Sequence, residues 1–363
     1  MQAAVLHSIP GQLQIEDVSI DLPQAGEVLI QIKASGLCHT DLHFMQGNFS
    51  VDVPAVLGHE VAGVVEKVGD GVSYVKPGDH VIACLSVFCG SCELCLTGHP
   101  SICADPEFTD RAISQPPRLH IDNQPVTQFM RVGGFAEQIL VHQNAIARIR
   151  KDMPLDKAAL IGCGVTTGLG AVFNTAKVSP GATVAVVGCG AIGLNVIQGA
   201  RICGAGRIIA IDTNPGKLAA ATTFGATDVL NPIDGDPVEQ VLELTNGLGV
   251  NYSFEAVGNP VTTQQSFMML AKGGTAVIIG LMGPKDEVTL PGLHFLAERK
   301  IQGCDMGSNR FRIDMPRYVE FYMNGRLNLD DMISQRIKLA EINQGFEAMK
   351  SGETVRSVIV FDD

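Results

Sequence analysis

One stretch of this sequence constrains the fold more than any other. Gly188-Cys189-Gly190-Ala191-Ile192-Gly193 lies between a β-branched run, Thr183-Val184-Ala185-Val186-Val187, and an apolar helical segment reaching about Cys203. In that setting each glycine has a task. The first permits a tight turn, the second lets backbone approach a pyrophosphate, and the third lets helix and strand pack closely. The amides at the helix N-terminus then face the phosphates. Strand and helix alternate onward: strand Arg207 to Ile211, helix Lys217 to Phe224, strand Thr227 to Leu230, and helix Pro237 to Thr245. Strand Val250 to Glu255, helix Val261 to Leu270 and strand Thr275 to Gly280 follow. Such alternation predicts a doubly wound α/β domain with a parallel sheet covered on both faces. Asp212 ends the second strand, 19 residues past Gly193. A carboxylate there accepts hydrogen bonds from both adenosine ribose hydroxyls and repels a 2′-phosphate, which predicts NAD rather than NADP. Lys217 is the nearest cation to the ribose.

The first 160 or so residues have a different texture. Short β-type runs (Val28 to Ala34, Val61 to Val68, His80 to Ala83) are broken by turns such as Lys76-Pro77-Gly78-Asp79, which predicts an irregular, mostly β domain. From about 306 the pattern is mixed, with helices around Met315 to Asn324 and Ala340 to Lys350 and a last strand, Ser357 to Phe361. At 363 residues the chain has room for two domains, since single cores stop growing at roughly 250–300 residues. The expected boundaries are 1–164 for the β-rich domain, 165–305 for the nucleotide domain and 306–363 for a return to the first.

Cysteine spacing adds chemistry. Cys89, Cys92, Cys95 and Cys103 crowd into fifteen residues of a chain with ten cysteines. Four thiolates so close can close a tetrahedron around Zn²⁺ and brace a loop, with no open position for reaction. Cys38, His59 in Gly58-His59-Glu60, and Cys163 in Gly162-Cys163-Gly164 form a dispersed second set that spacing alone does not gather. Two thiolates and one imidazole would leave a fourth zinc position open to water or an alcohol.

A net charge of −12 with no basic run argues against a nucleic-acid partner. The N-terminus carries no export pattern, and no uninterrupted apolar run reaches the ~18 residues of a membrane span. The expected setting is the cytoplasm, where thiols stay reduced, with no membrane partner.

These motifs together resemble the zinc-dependent medium-chain alcohol dehydrogenases over essentially the whole chain. The carrying residues are Gly36-Leu37-Cys38-His39-Thr40-Asp41, Gly58-His59-Glu60, the four-cysteine lobe at 89–103, Gly162-Cys163-Gly164-Val165-Thr166-Thr167-Gly168, and the glycine fingerprint ending at Asp212. The resemblance implies a GroES-like catalytic domain beside a Rossmann domain. It implies catalytic zinc on Cys38, His59 and Cys163, structural zinc on Cys89, Cys92, Cys95 and Cys103, and Asp41 and Glu60 as carboxylates behind the catalytic ligands. Thr40 would touch the substrate hydroxyl and His43 would end a proton relay through the cofactor ribose. Thr167, Ile192, Lys217 and Arg356 fall at cofactor-contact positions, with Gly188, Gly190, Gly193 and Asp212. Zinc would acidify the bound alcohol, and the carbon would pass hydride to nicotinamide.

His39 stands where many members carry arginine, near the expected pyrophosphate, so cofactor affinity should fall as that imidazole loses its proton. The long segment from Ala104 to Gly134 resembles that of dimeric members and predicts a homodimer joined edge to edge near Thr275 to Gly280. Glutathione-dependent formaldehyde dehydrogenases are the nearest alternative, but the acidic residues and the arginine that hold their polar adduct are absent from Gly47-Asn48-Phe49-Ser50-Val51 and Ala104-Asp105-Pro106-Glu107. The expected pocket is instead apolar, with Phe49, Leu85, Phe129, Met130 and Leu281. An apolar pocket predicts a primary aromatic or allylic alcohol as substrate.

Overall fold

A computed structural model describes residues 1–112, 114–351 and 355–362. The chain divides into two compact units, Met1–Cys163 with Arg310–Asp363, and Gly164–Asn309.

Among the described residues the first unit holds three sheets, the largest of them a mixed one. Its strands run in the order Ile146–Ile149, His80–Ala83, Glu60–Val68, Glu27–Gly36, Arg356–Val360, Ile333–Ile337. The long strand Glu27–Gly36 has two partners on one side: Gln138–His142 pairs with its first half and Arg356–Val360 with its end. Val28, Ile30 and Ile32 alternate into a core with Val61, Val65, Val81, Ile139 and Ile146. Full burial of such side chains contributes roughly 1.5–3 kcal/mol each. The register sets Gly36 opposite Glu60. A Cβ at Gly36 would stand 2.3 Å from a Glu60 carboxylate oxygen, so glycine leaves room for that side chain.

The second unit holds a six-stranded parallel sheet ordered Asp228–Leu230, Arg207–Ile211, Thr183–Val187, Val250–Glu255, Leu270–Ile278, Lys300–Gly303. Counting along the chain, that is third, second, first, fourth, fifth, sixth, the doubly wound order whose direction reverses beside the first strand. Three of its helices begin with an Asx-Pro pair. Asn214 accepts from the amides of Gly216 and Lys217, Asp236 from those of Val238 and Glu239, and Asn259 from that of Val261. Proline follows each cap, where the missing N–H costs nothing.

Three expectations change. The helix Pro260–Met268 stops before Leu270, which opens a strand that runs Leu270–Ile278, earlier than the expected start at Thr275. That strand is not the sheet edge: Lys300–Gly303 pairs outside it, so the expected edge near Thr275 to Gly280 lies inside the sheet. A continuous helical stretch, Leu155–Ala176, was not foreseen. It is long and apolar enough to cross a membrane, but 83% of its apolar window is buried inside the protein, which marks it as a core helix.

Candidate metal and nucleotide sites

Cys38, His59 and Cys163 come from three elements of the first unit. Cys38 precedes the helix His39–Met45. His59 leads into the strand Glu60–Val68, behind Gly58 at φ 91. A side chain at Gly58 would collide with Phe135, 2.6 Å away, so glycine is needed both for the left-handed backbone and for this contact. Cys163 lies in a π-helical segment, Ile161–Val165, the kind of widened turn frequent at functional sites. Gly162 brings that segment against Ala83 O and Glu60 Cα.

The ligand atoms of Cys38, His59, Glu60 and Cys163 lie within 4.8 Å of one another, and all four residues are buried. Asp41 Oδ1 accepts from the Gly58 amide at 3.0 Å and sits 3.2 Å from His59 Nδ1. Asp41 Oδ2 accepts from the Cys38 amide at 3.3 Å. One buried carboxylate thus fixes the start of the helix, the turn before His59 and the imidazole's orientation. His59 Nε2, the other ring nitrogen, is buried with no hydrogen-bond partner. A buried polar atom left this way calls for a ligand, and the donor set of two sulfurs and one imidazole suits zinc.

The buried groups of the cluster perturb one another strongly. Burial opposes charge on His59, but the carboxylate of Asp41 and the sulfur of Cys38 outweigh it and hold the pKa well above its usual value. Hydrogen bonding to Cys163, against burial and with help from Arg356 and His59, holds the Cys38 thiol well below the ordinary value. The same bond, with burial, pushes Cys163 up. Burial pushes Glu60 up to about 8, with the charge of Arg356 pulling against it. Arg356 donates to Glu60 Oε1 at 2.9 Å and to Leu37 O at 3.1 Å. Arg356 therefore lies in the buried shell of this cluster.

Thr40 Oγ1 lies 3.7 Å from Cys38 Sγ. His43, one turn along the same helix, is bonded through Nδ1 to Asn48 Nδ2 at 2.9 Å, and His39 is exposed. Phe129 is buried with its ring 6.2 Å from that of His59 and 4.7 Å from Phe44, which stacks 5.5 Å from Phe49. Met130 packs on the same core as Leu42 and Met45. Leu85 packs on the core that holds Val28, Ile30 and Ile32. Leu281 belongs to the second unit and is 48% exposed. Phe44 and Asn48 escaped the sequence reading. Helical spacing from Thr40 to Phe44 was the available signal for the first; the second needed the turn after the helix.

In the cysteine lobe, the sulfurs of Cys89 and Cys95 are 3.9 Å apart and those of Cys92 and Cys103 3.8 Å. Zinc–sulfur bonds of about 2.3 Å imply tetrahedral edges of about 3.8 Å. Backbone amides already face the sulfurs: Ser91 and Cys92 donate to Cys89, and Cys89 and Asp105 donate to Cys103. The amide and hydroxyl of Ser91 bring Cys89 down to about 6, whereas burial pushes Cys95 up to about 12.

In the second unit, Gly188 takes φ 91 and Gly193 packs on Gly188 O. A Cβ at Gly190, which caps the helix Ala191–Ile202, would meet no protein atom within 4 Å. Packing within the protein does not require that glycine; the approach of a pyrophosphate does. Asp212 accepts from the Cys189 amide at 2.8 Å and the Asn214 amide at 2.9 Å, which fixes its carboxylate at the strand end. Ile192 and Lys217 are half-buried nearby in the chain, and Thr167 Oγ1 contacts Met306 Sδ at 3.4 Å.

Residues 24–151 match the alcohol dehydrogenase GroES-like domain, and residues 191–323 the zinc-binding dehydrogenase domain. An S-(hydroxymethyl)glutathione dehydrogenase of Haemophilus influenzae is 41% identical, covering 99% of this chain and 96% of its own. A zinc-binding-domain alcohol dehydrogenase from Burkholderia ambifaria superposes with a TM-score of 0.95 at 33% identity, over 100% of this chain and 99% of its own. The benzyl alcohol dehydrogenase of Acinetobacter calcoaceticus does so with a TM-score of 0.94 at 31% identity, over 99% of each chain.

Proposed function

The chain belongs to the zinc-dependent medium-chain alcohol dehydrogenase family and is an NAD-dependent oxidoreductase, and on that premise we propose that it oxidises a primary alcohol to the aldehyde, reversibly. The observation that carries this reading is the orphaned Nε2 of His59 facing the sulfurs of Cys38 and Cys163. Zinc held there supplies Lewis acidity toward an alcohol hydroxyl, and NAD supplies the hydride acceptor.

The protein's own residues do the rest. Asp41 holds His59 in the tautomer that keeps the proton on Nδ1 and turns Nε2 inward. In this reading Thr40, beside Cys38, takes the hydroxyl proton, and the cofactor ribose and His43, whose ring Asn48 orients, carry it outward. The Glu60–Arg356 pair keeps the carboxylate behind the sulfurs from remaining an uncompensated charge. In the second unit the Gly188–Gly193 turn would seat the pyrophosphate, with Asp212 and Lys217 on the ribose.

The alcohol itself has two readings. The curated relatives back S-(hydroxymethyl)glutathione, and they do so better than they back the aromatic or allylic alcohol expected from the sequence. A specific observation favours the aromatic reading. The arginines after the lobe are engaged: Arg111 and Arg118 with Glu27, and Arg131 with Asp110. The rings of Phe44, Phe49 and Phe129 meanwhile cluster beside His59. Comparing kcat/KM with NAD for S-(hydroxymethyl)glutathione, benzyl alcohol and ethanol decides between them. A higher value for the glutathione adduct establishes the first reading; a higher value for benzyl alcohol establishes the second.

A homodimer is part of the proposal. The outermost strand Lys300–Gly303 has no further strand beyond it among the described residues, and Leu293 and Leu296 just before it are 77% and 82% exposed. Unpaired strand edges flanked by apolar side chains pair readily with a second copy. Leu296→Asp should shift the mass measured by light scattering toward one chain. None of the ten cysteines forms a disulfide, which supports a reducing, cytoplasmic setting.

A further inference from the structure

We propose that an ion-pair clamp outside the pocket, Arg131 on Asp110, sets which alcohols the site accepts by holding Phe129 and Met130 in place. The inference rests on the aromatic-pocket reading above, extended here to Met130, the residue after Phe129 in the same turn.

Phe129–Arg131 is a single turn whose last two residues, Met130 (φ 50) and Arg131 (φ 59), take the left-handed conformation. Side chains with a Cβ avoid that region, and two in succession need outside support. The support is visible. Arg131 Nε and Nη2 donate to Asp110 Oδ1 and Oδ2 at 2.8 and 2.7 Å, a two-pronged contact with fixed geometry. Glu107 adds an oxygen 3.6 Å from the same guanidinium. From the near side, Gln128 Nε2 donates to Val132 O and Leu140 O at 2.9 and 3.0 Å. Phe129 O accepts from the amides of Val132 and Gly133.

The turn joins two environments. Phe129 and Met130 pack toward the zinc-site helix, whereas Arg131 reaches the other way. Behind Arg131 lies a cavity of about 210 Å³ lined by Asp110, Arg111, Arg118 and Gln128 among others. Close packing therefore does not hold Arg131 from that side; the carboxylate does. Arg111 and Arg118 are committed to Glu27, which leaves Asp110 to Arg131. With the clamp broken, the backbone at 130–131 can relax toward ordinary angles, and Phe129 moves relative to His59. Arg131 and Asp110 are positioning residues; neither touches the reacting atoms.

The test uses the full-length zinc enzyme and three substrates: ethanol, benzyl alcohol and S-(hydroxymethyl)glutathione. Its readout is the ratio of kcat/KM for the better bulky substrate to that for ethanol, with zinc content measured in parallel. Phe129→Ala is the control for the pocket. Asp110→Asn is expected to lower the ratio about tenfold through KM, leaving zinc and ethanol kcat unchanged. Arg131→Gly, which suits the left-handed backbone but drops the clamp, should do the same. Arg131→Lys, which keeps the charge but not the two-pronged contact, should recover only part of the ratio. Added salt should weaken discrimination in the wild type, because the pair is 29% and 40% exposed. If Phe129→Ala leaves the ratio unchanged, the pocket reading fails and the clamp falls with it. If Phe129→Ala moves the ratio but Asp110→Asn and Arg131→Gly do not, the clamp alone is overturned. Equal losses on all substrates with loss of zinc would assign the pair a purely structural role and overturn it too.

Discussion

Asp41 and His59 meet at 3.2 Å in a place from which water is excluded, and the same carboxylate oxygen also accepts the amide of Gly58. The contact decides which imidazole nitrogen is presented to a metal. It also ties the helix after Cys38 to the strand that begins at Glu60.

Asp41→Asn should therefore weaken zinc binding without unfolding the unit. An amide keeps the shape but loses the charge that favours a proton on Nδ1. Losing such a partner costs about 10–100-fold in metal affinity. Competitive titration against a chromogenic chelator measures it; an unchanged zinc dissociation constant would remove Asp41 from the metal's support.

The cysteine lobe makes a separate prediction. Cys103→Ala should yield protein with one zinc per chain in place of the two that the clusters provide for. The lobe should become protease-sensitive, because its short helix Glu93–Leu96 has no buried side chain to hold it. Retention of both metals in this variant would contradict the assignment.

Asp212→Gly should shift the coenzyme preference. Hydrogen bonds from sugar hydroxyls to a carboxylate are worth about 1.5–3 kcal/mol, or roughly 10–150-fold. The ratio of kcat/KM for NAD to that for NADP should fall by that order. A ratio unchanged from wild type would place the ribose elsewhere.

Glu27 predicts a pH dependence of stability. Burial pushes its pKa up, but the hydrogen bond from Arg111, with Gln24 and Arg118, more than reverses this and leaves it below the ordinary 4.5. A carboxylate with a lowered folded pKa contributes stability in full above that ordinary value and loses it as pH falls through the folded one. Glu27→Gln should cost about 3 kcal/mol at pH 7, because it takes the carboxylate from the buried guanidinium of Arg118 and leaves Arg111 with Asp21 alone. The difference from wild type should shrink as the solution is acidified below pH 4.5. Denaturant melts at pH 7 and in acid measure both; a difference independent of pH would mean that Glu27 is protonated in the folded protein.

The nucleotide unit was legible because its rules are local. Thr183–Val187 and Arg207–Ile211 are β-branched runs and Val250–Glu255 a short run with two aromatic residues, each next to glycine or Asx-Pro punctuation, and the glycine turn sits where the strand order reverses. The last sheet strand, Lys300–Gly303, escaped because its residues are mostly exposed and alternate with nothing. The cysteine lobe was legible from spacing, since four ligands within fifteen residues need no long-range fold. The second cluster was not, and only family resemblance joined Cys38, His59 and Cys163. The long strand Glu27–Gly36 and the π-helical turn that gather them are set by tertiary packing. Nothing in the sequence announced the left-handed pair Met130 and Arg131, because neither is a residue that favours that backbone.

The sharpest single measurement is absorbance at 340 nm with saturating NAD and the best alcohol of the panel, on wild type and on Cys163→Ala that still binds NAD. With Cys38, His59 and Cys163 jointly holding the working metal, wild type should show an alcohol-dependent rise and the variant none, with one zinc missing. A full-rate rise from the zinc-depleted variant would show that the reaction proceeds without that cluster.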